Sequence, residues 1–299
     1  MSSYCCFWCP KPDHSEYSMN DVCKTCGRPF GEPLIKQPAV IDNYLVSEGI
    51  GRGFYSAVYR ALQPSLGRTV VLKVVPALVY EFFNKDWGRE CKEHAAIAEG
   101  TPFIANITDQ FDAEVDFGGS KLFCHIAVLE NIPGPTLEAV LKNPEGHAIG
   151  PRLAAQVAAD IFEILNLFSQ HQRFHNDLHA GNIILQKMTA QTLRSGVIDP
   201  EVRAVAIDLG SVLDESRSGC ERIGDRQLAA RHISALAHAI HQKGKDISDL
   251  DYRVASALRG LAEHLSPPLD ARRIITIDDA QIALRTAIAV ADEPWRSEE

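Results

Sequence analysis

Three polar residues near the middle of the chain have the spacing His175-x-Asp177-x-x-x-x-Asn182. Transfer of a phosphoryl group needs a carboxylate that orients the acceptor hydroxyl and a short amide that helps to hold a metal ion. The five-residue step from Asp177 to Asn182 supplies both groups from one loop, and Gly181 allows that loop a tight backbone. The spacing therefore indicates chemistry on a phosphoryl group.

A further carboxylate follows at Asp208, in the segment Val205-Ala-Ile-Asp208-Leu-Gly210. An apolar run that ends in Asp-Leu-Gly predicts a buried strand that delivers one carboxylate to a turn. The chain also contains Gly51-Arg-Gly53, in which the missing side chains let backbone N–H groups approach a phosphate. These glycines lead into a strand and not into a helix, which argues against a dinucleotide-binding fold.

A lysine, Lys73, lies inside the apolar strand segment Thr69-Val-Val-Leu-Lys73-Val-Val. A buried lysine is costly unless it is paired with an opposite charge. The segment from Asn84 to Ala98 has helical spacing and carries two glutamates, Glu90 and Glu93, and either of them could pair with Lys73. The spacing to the segment that follows favours Glu93.

The order of these four segments resembles the protein-kinase-like superfamily, with its glycine-rich loop, lysine strand, catalytic loop and D-F-G turn. The resemblance covers roughly residues 41 to 245. It implies an α+β, bilobal fold, with a β-rich N-lobe at 41–131 and a helical C-lobe at 132–299. In such a fold Asp177 would orient the acceptor hydroxyl and take its proton, while Asn182 and Asp208 would hold Mg²⁺.

The resemblance also assigns the nucleotide site. Lys73 would contact the α- and β-phosphates of ATP and pair with the helix glutamate, and backbone groups near Glu130 and Ile132 would bond the adenine edge. The full set of expected nucleotide contacts is Gly51, Gly53, Ser56, Val58, Lys73, Glu130 and Ile132. Ser56 stands where the resembled loop has its third glycine.

Several features depart from an ordinary protein kinase. Asn176 replaces the usual Arg, and His179 replaces a loop Lys, which resembles aminoglycoside phosphotransferases and other atypical kinases. Asp225 follows Asp208 by only seventeen positions, and no A-P-E motif occurs. Asp225 either anchors the catalytic loop or simply caps a helix. The stretch from Gln186 to Arg203 predicts an extended hairpin.

The features together predict an ATP-dependent serine/threonine kinase of compact, atypical type that acts on a protein substrate. The first alternative is a small-molecule phosphotransferase, which His179 and the short segment after Asp208 favour. The second is a pseudokinase that binds nucleotide without catalysis. The chain contains all four expected catalytic residues, which argues against it: Lys73, Asp177, Asn182 and Asp208.

Two C-x-x-C knuckles lie thirteen residues apart at the start of the chain, Cys6-Phe-Trp-Cys9 and Cys23-Lys-Thr-Cys26. Two such knuckles can place four thiolates tetrahedrally around one Zn²⁺. The pattern predicts a zinc ribbon at 1–31 that could dock a protein partner, followed by a linker at 32–40. Cys5 remains an alternative ligand to Cys6.

The net charge is −9, and 45% of the 299 residues are hydrophobic. The acidic balance makes nucleic acid an unlikely partner. No apolar run is long enough to span a membrane, and the first residues lack the pattern of a signal peptide. A cytoplasmic location is expected.

Overall fold

The chain forms two compact units, one of residues 1–99 and 106–131 and the other of residues 100–105 and 132–299. The computed structural model describes residues 4–6, 31–33, 39–52, 56–77, 86–116, 121–143, 149–187, 202–208, 213–214, 221–241 and 248–265, and residues 279, 282, 284 and 286. The short segment 100–105 belongs with the second unit, although it precedes the division expected after residue 131.

The first unit is built mainly of antiparallel strands. Its described elements are β1 (Tyr4–Cys6), β2 (Gly31–Pro33), β3 (Ala39–Ile41), β4 (Tyr44–Arg52), β5 (Ala57–Gln63), β6 (Arg68–Pro76), helix α1 (Trp87–Ala98), β7 (Ile107–Asp116) and β8 (Lys121–Glu130). Strands β1 and β2 pair with each other, and the remaining strands form a six-stranded sheet in the order β3-β4-β5-β6-β8-β7. Two-residue alternation of burial along β5 and β6 gives each face of this sheet its own set of side chains.

One face of the sheet encloses a core that includes Leu72, Ile126 and Val128. Tyr44 of β4 stacks on Phe111 of β7 with 5.7 Å between the ring centroids, so strands from opposite sides of the sheet meet and the sheet curls around this core. The other face packs on helix α1, through a cluster of Val75, Trp87, Cys91, Ala127 and Leu129. The sheet therefore supports a helix on one side and a closed apolar core on the other.

The second unit is mainly helical. Its described elements are α2 (Leu137–Lys142), α3 (Pro151–Gln170), β9 (Arg173–Phe174), β10 (Ile183–Lys187), β11 (Val202–Ala206), β12 (Leu213–Asp214), α4 (Glu221–His241) and α5 (Asp249–Leu265), with a 3-10 turn at Ala180–Asn182. Strands β10 and β11 pair antiparallel, with Gln186 opposite Arg203, and the rest of the predicted hairpin, residues 188–201, lies outside the described residues. Among the described helices, none is long and apolar enough to cross a membrane.

Helix α3 is the buried centre of this unit, and the three- and four-residue spacing of apolar residues from Pro151 to Gln170 predicts it. Pro151 occupies its first turn, where the missing N–H costs no hydrogen bond. Its apolar residues at three- and four-residue steps, such as Val157, Ile161 and Phe168, are almost fully buried. Burying each large apolar side chain stabilises the folded state by about 1.5–3 kcal/mol, and this holds the helix within the unit.

A carboxylate lies on the buried side of α3. Asp160 is 3% exposed, and it accepts hydrogen bonds from the backbone N–H of Ala204 and from the amide of Gln156, both at 2.7 Å. The bond to Ala204 ties α3 to strand β11, which leads to Asp208. Burial raises the pKa of Asp160 to about 6, although its two hydrogen bonds and the charge of Arg203 oppose this and Glu163 adds to it.

The stability of the protein should depend on pH through the carboxyl group of Asp160. Its pKa rises from 3.8 to about 6 on folding, so the folded state binds the proton more tightly than the unfolded state does. The contribution of Asp160 to the free energy of unfolding therefore falls as the pH rises through that interval. At about 1.4 kcal/mol per pH unit, the advantage of Asp160→Asn over the wild type should grow by about 2 kcal/mol between about pH 4 and pH 7. Urea unfolding at each pH measures it, and a constant difference between the two proteins would contradict it.

Candidate active site

Three of the expected nucleotide residues form one row across adjacent strands of the first unit. The register pairs Gly51 with Val58, and Val58 with Lys73, and directly opposed residues share a face of the sheet. A Cβ at Gly51 would meet the chain only at an ordinary 3.8 Å from Val58 Cβ. Packing within the described chain therefore does not itself require glycine here. Ser56, just before β5, is 2% exposed.

Lys73 is paired with a glutamate of helix α1. Its Nζ lies 3.4 Å from Glu90 Oε1, and the two side chains are 13% and 16% exposed. This partly buried ion pair satisfies the requirement that a charge inside a strand be compensated. The helix is held against the sheet by Trp87 and Cys91, so Glu90 reaches the lysine from a fixed support.

The preference for Glu93 as the partner of Lys73 is wrong, because the structure gives this ion pair to Glu90, whereas Glu93 pairs with Arg89 at 2.9 Å. With about 100° of rotation per residue, Glu90 borders the face of α1 that packs on the sheet. Glu93 lies about 60° further round the helix, on the side of Arg89. The preference for Glu93 rested on the number of residues between the helix and the next segment, and that number does not show how the helix is rotated against the sheet.

The residues expected near adenine lie at the end of β8 and just beyond it. The N–H of Glu130 donates to the carbonyl oxygen of Asn106 at 2.8 Å, and the Glu130 side chain accepts from the Asn106 amide at 3.2 Å. The N–H of Glu130 is therefore used in a contact within the first unit. Ile132, in the second unit, is 8% exposed and packs with Ala105 and Val205.

In the second unit, Asp225 holds the loop that contains the spaced polar residues. Its two carboxylate oxygens accept the backbone N–H groups of His175 and Asn176, each at 2.8 Å, and its side chain is 2% exposed. Helix α4 begins at Glu221, so Asp225 lies inside the helix. The alternative of a helix cap is therefore wrong, and Asp225 anchors the loop.

His175 supports the loop from within. It is fully buried, its ring lies edge-to-face with Phe168 at 5.3 Å, and its Nδ1 accepts the N–H of Asp177 at 3.3 Å. Burial lowers the pKa of His175 to about 4, although the charge of Asp208 opposes this. The imidazole is therefore neutral at pH 7 and braces the backbone that carries Asp177.

Asp177, Asn182 and Asp208 are brought together by backbone contacts. The Asn182 amide nitrogen donates to the carbonyl oxygen of Asp177 at 3.0 Å. The N–H of Ile207, next to Asp208, donates to the carbonyl oxygen of Asn182 at 2.9 Å. The Asp177 side chain is 51% exposed, so its carboxylate can meet a hydroxyl that arrives from solvent.

Two residues of this site have left-handed backbone. Asn176 has φ 59° and Asp208 has φ 61°, and Asn and Asp are the residues other than glycine that tolerate this region best. Strained backbone of this kind persists where the surrounding structure holds it, and it concentrates at functional sites. The bonds to Asp225 hold Asn176 in this conformation, and they lie one residue from Asp177.

Some contacts of the site were not predicted from the sequence. His232 in α4 is 6% exposed, and its Nε2 lies 2.7 Å from the carbonyl oxygen of Leu178, so it forms a second tie between the helix and the loop. Burial lowers the pKa of His232, although the bond to Leu178 opposes this. No motif in the sequence marks His232, because its partner lies 54 residues away along the chain.

Several predicted residues lie outside the described residues. They are Gly53 of the glycine loop, Leu209 and Gly210 after Asp208, and the cysteines Cys9, Cys23 and Cys26. The backbone of Cys6 is described in β1, where it pairs with Gly31 of β2.

The architecture matches solved kinase domains. The BubR1 kinase domain superposes with a TM-score of 0.59 at 16% identity, covering 86% of this chain and 84% of that one. The kinase domain of Mycobacterium tuberculosis PknI gives a TM-score of 0.58 at 16% identity, covering 84% of this chain and 98% of that one. This chain has the protein-kinase fold. The first unit is its N-lobe, with the β-sheet, and the second is its helical C-lobe.

Curated proteins with similar sequences are serine/threonine kinases. The serine/threonine-protein kinase PknB of Mycolicibacterium smegmatis is 31% identical over 151 residues, which make up 50% of this chain and 23% of that protein. The tousled-like 2 kinase of Mus musculus is 28% identical over 165 residues, 51% of this chain and 21% of that protein. The chain thus spans less than a quarter of the length of these relatives. No protein-family model matches it.

Proposed function

We propose that this protein is an ATP- and Mg²⁺-dependent serine/threonine protein kinase. The observation that carries the proposal is the C-lobe loop, in which Asp225 and His175 fix the backbone while the Asp177 carboxylate remains half exposed. Catalysis of phosphoryl transfer consists mainly of positioning and electrostatic stabilisation, and this loop provides a positioned carboxylate. The similarity to serine/threonine kinases over half of the chain supports the same assignment.

The residues near Asp208 suit Mg²⁺. This ion prefers oxygen ligands and is usually held by one or two protein groups together with substrate phosphates. The Asn182 amide nitrogen is engaged by Asp177, so its oxygen can serve as a ligand beside the Asp208 carboxylate. Bound there, the ion would neutralise charge on the transferred phosphoryl group.

The N-lobe would hold the nucleotide. Lys73, fixed by Glu90, would contact the α- and β-phosphates, and Gly51 with Gly53 would let backbone N–H groups approach them. The carbonyl of Glu130 would accept the adenine amine, and backbone groups of Ile132 would bond the same edge. In the reaction, Asp177 would orient the acceptor hydroxyl and receive its proton as the acceptor oxygen bonds to the γ-phosphorus and ADP leaves.

A small-molecule kinase is the second candidate. The observation in its favour is the short chain after Asp208: β12 (Leu213–Asp214) pairs back onto β9, and α4 begins at Glu221. Six residues, 215–220, therefore connect these two elements, which leaves little chain for docking a peptide.

Phosphate transfer from γ-labelled ATP with magnesium tests the proposal. The purified protein is compared with Asp177→Ala, first alone and then with general protein substrates and with an extract of small metabolites. Label on protein, absent in the variant, supports the protein kinase. Label found only on small molecules would replace it by the second candidate, and ATP binding without transfer would establish a pseudokinase.

The ion pair between Lys73 and Glu90 leads to a prediction that compares two variants. Glu90→Gln should lower kcat/KM for ATP by about 10- to 100-fold, because a hydrogen bond between charged groups contributes about 1.5–3 kcal/mol. Glu93→Gln, which removes the charge that faces Arg89, should change it by less than about threefold. Steady-state kinetics of the two variants measure this, and a larger loss in Glu93→Gln than in Glu90→Gln would contradict the assignment.

We further propose that residues 1–31 form a zinc ribbon, with a linker at 32–40, and that Cys6, Cys9, Cys23 and Cys26 bind one Zn²⁺. The pairing of Cys6 with Gly31 supports this, since it places the start of the first knuckle beside the segment that follows the second. The ribbon would be free to dock a protein partner.

Metal analysis of the purified protein tests the ribbon. About one zinc per chain is expected, with loss of the metal in Cys23→Ser and retention in Cys220→Ser, which alters a cysteine outside both knuckles. Comparing Cys5→Ser with Cys6→Ser identifies the fourth ligand. Wild-type protein without zinc, after purification in zinc-containing medium, would refute the site.

A further inference from the structure

His179 lies between Asp177 and the 3-10 turn at Ala180–Asn182. Its Nδ1 accepts the backbone N–H of Gly181 at 3.0 Å, and its Nε2 lies 3.9 Å from Asp177 Oδ2. The imidazole and the Asp177 carboxylate are both about half exposed, at 50% and 51%. The ring therefore lies between a backbone donor and the carboxylate proposed to orient the acceptor.

The bond from Gly181 assigns the tautomer of this ring. A neutral imidazole has one N–H donor and one acceptor nitrogen, and here Nδ1 is the acceptor. The proton therefore resides on Nε2, the nitrogen that faces Asp177. At 3.9 Å the contact is longer than a hydrogen bond, but catalytic contacts of this kind are often long before substrate binds and shorten in the complex.

Gly181 is required for this arrangement. A Cβ at position 181 would lie 2.8 Å from His179 Cε1 and 2.9 Å from its Nδ1, closer than non-bonded atoms approach. The backbone at 181 does not have positive φ, so the constraint on this position is the space that the imidazole occupies. Any larger residue would push the ring away from the N–H that holds it.

We propose that His179, held by Gly181, is a positioning residue that presents Nε2–H to Asp177 Oδ2 and thereby directs Asp177 Oδ1 toward the acceptor hydroxyl. This rests on the proposed phosphotransferase function and adds a residue to it. The acceptor proton passes to Oδ1 while the acceptor oxygen bonds to the γ-phosphorus and the bond to the ADP oxygen breaks. His179 already carries a proton on Nε2 and uses Nδ1 for Gly181, so it acts as a donor and not as the base.

Substitutions at both positions test the inference. His179→Ala should lower kcat by about 10- to 100-fold, because small displacements of a positioned group cost about that much, with KM for ATP changed by less than about twofold. His179→Gln, whose amide can accept from Gly181 and donate to Asp177, should recover most of the activity. Gly181→Ala should reproduce the loss, and the double variant Gly181→Ala/His179→Ala should be no worse than either single variant.

A structural role for His179 would give a different result. It would lower the melting temperature, affect KM together with kcat, and give additive losses in the double variant. His264→Gln, an exposed histidine on α5, serves as the control for the substitution itself.

Failure of the inference and failure of the proposed function are distinguishable. Absence of phosphate transfer in the wild type would overturn the function. Transfer in the wild type that Asp177→Ala abolishes, but that His179→Ala and Gly181→Ala leave within about twofold, would overturn the role of His179 alone.

Discussion

Phosphate transfer from ATP should fall by at least about 10³-fold when Asp208 is replaced by Asn. A bound divalent ion supplies several kcal/mol of stabilisation to a phosphoryl transition state, and each 1.4 kcal/mol or so is a tenfold change in rate. Asp208 is the one charged ligand in the proposed Asn182–Asp208 pair. The loss should therefore appear in kcat, measured with γ-labelled ATP over a range of magnesium concentrations.

Asn is the better test than Ala because of the backbone at this position. Asp208 has φ 61°, and Asn tolerates the left-handed region, whereas Ala there costs about 1–2 kcal/mol. Asp208→Ala should also be inactive, with an additional loss of stability that the Asn variant avoids. Comparing the two by urea unfolding separates lost chemistry from lost fold.

A matched control removes a carboxylate from the same lobe without touching the site. Glu263→Gln alters an exposed glutamate on α5 and should keep activity within about twofold. If Asp208→Asn retained more than about a tenth of wild-type activity while Glu263→Gln behaved normally, Asp208 would not hold the metal.

The elements that carry the site could be predicted because their signals are local. The apolar spacing from Pro151 to Gln170 coincides with helix α3, and the apolar run around Lys73 coincides with β6. The loop from His175 to Asn182 was found from residue types at fixed spacing. Each of these signals lies within a few residues of what it predicts.

The contacts that complete the site depend on packing between distant segments. Asp225 lies 50 residues from His175 along the chain, and its sequence context also fitted a helix cap. The choice between Glu90 and Glu93 depends on how α1 is rotated against the sheet, which no local interval encodes. Asp160 gave a sequence signal, a charge within an apolar helical stripe, but its partner Ala204 is set by the docking of β11.

Replacing Asp225 by Ala should have the largest effect on the fold among the C-lobe variants considered. The change leaves the N–H groups of His175 and Asn176 without the acceptors that hold them at 2.8 Å. Each buried donor left unsatisfied costs about 1–3 kcal/mol, so the free energy of unfolding should fall by about 2–5 kcal/mol. Urea unfolding monitored by tryptophan fluorescence and circular dichroism measures this loss.

Activity should fall further than stability alone explains. Asn176 has φ 59° and lies beside Asp177, so a loop without its anchor moves the carboxylate that orients the acceptor. A displacement of about 1 Å can cost about 10²-fold in rate, and kcat should fall by that amount at a temperature where the variant remains folded.

Asp251→Ala is the control, because Asp251 also accepts two hydrogen bonds, from the N–H and hydroxyl of Ser248, but at an exposed helix start. It should lose about 1 kcal/mol and keep its activity; equal losses in the two variants would show that the Asp225 contacts to the loop are not special.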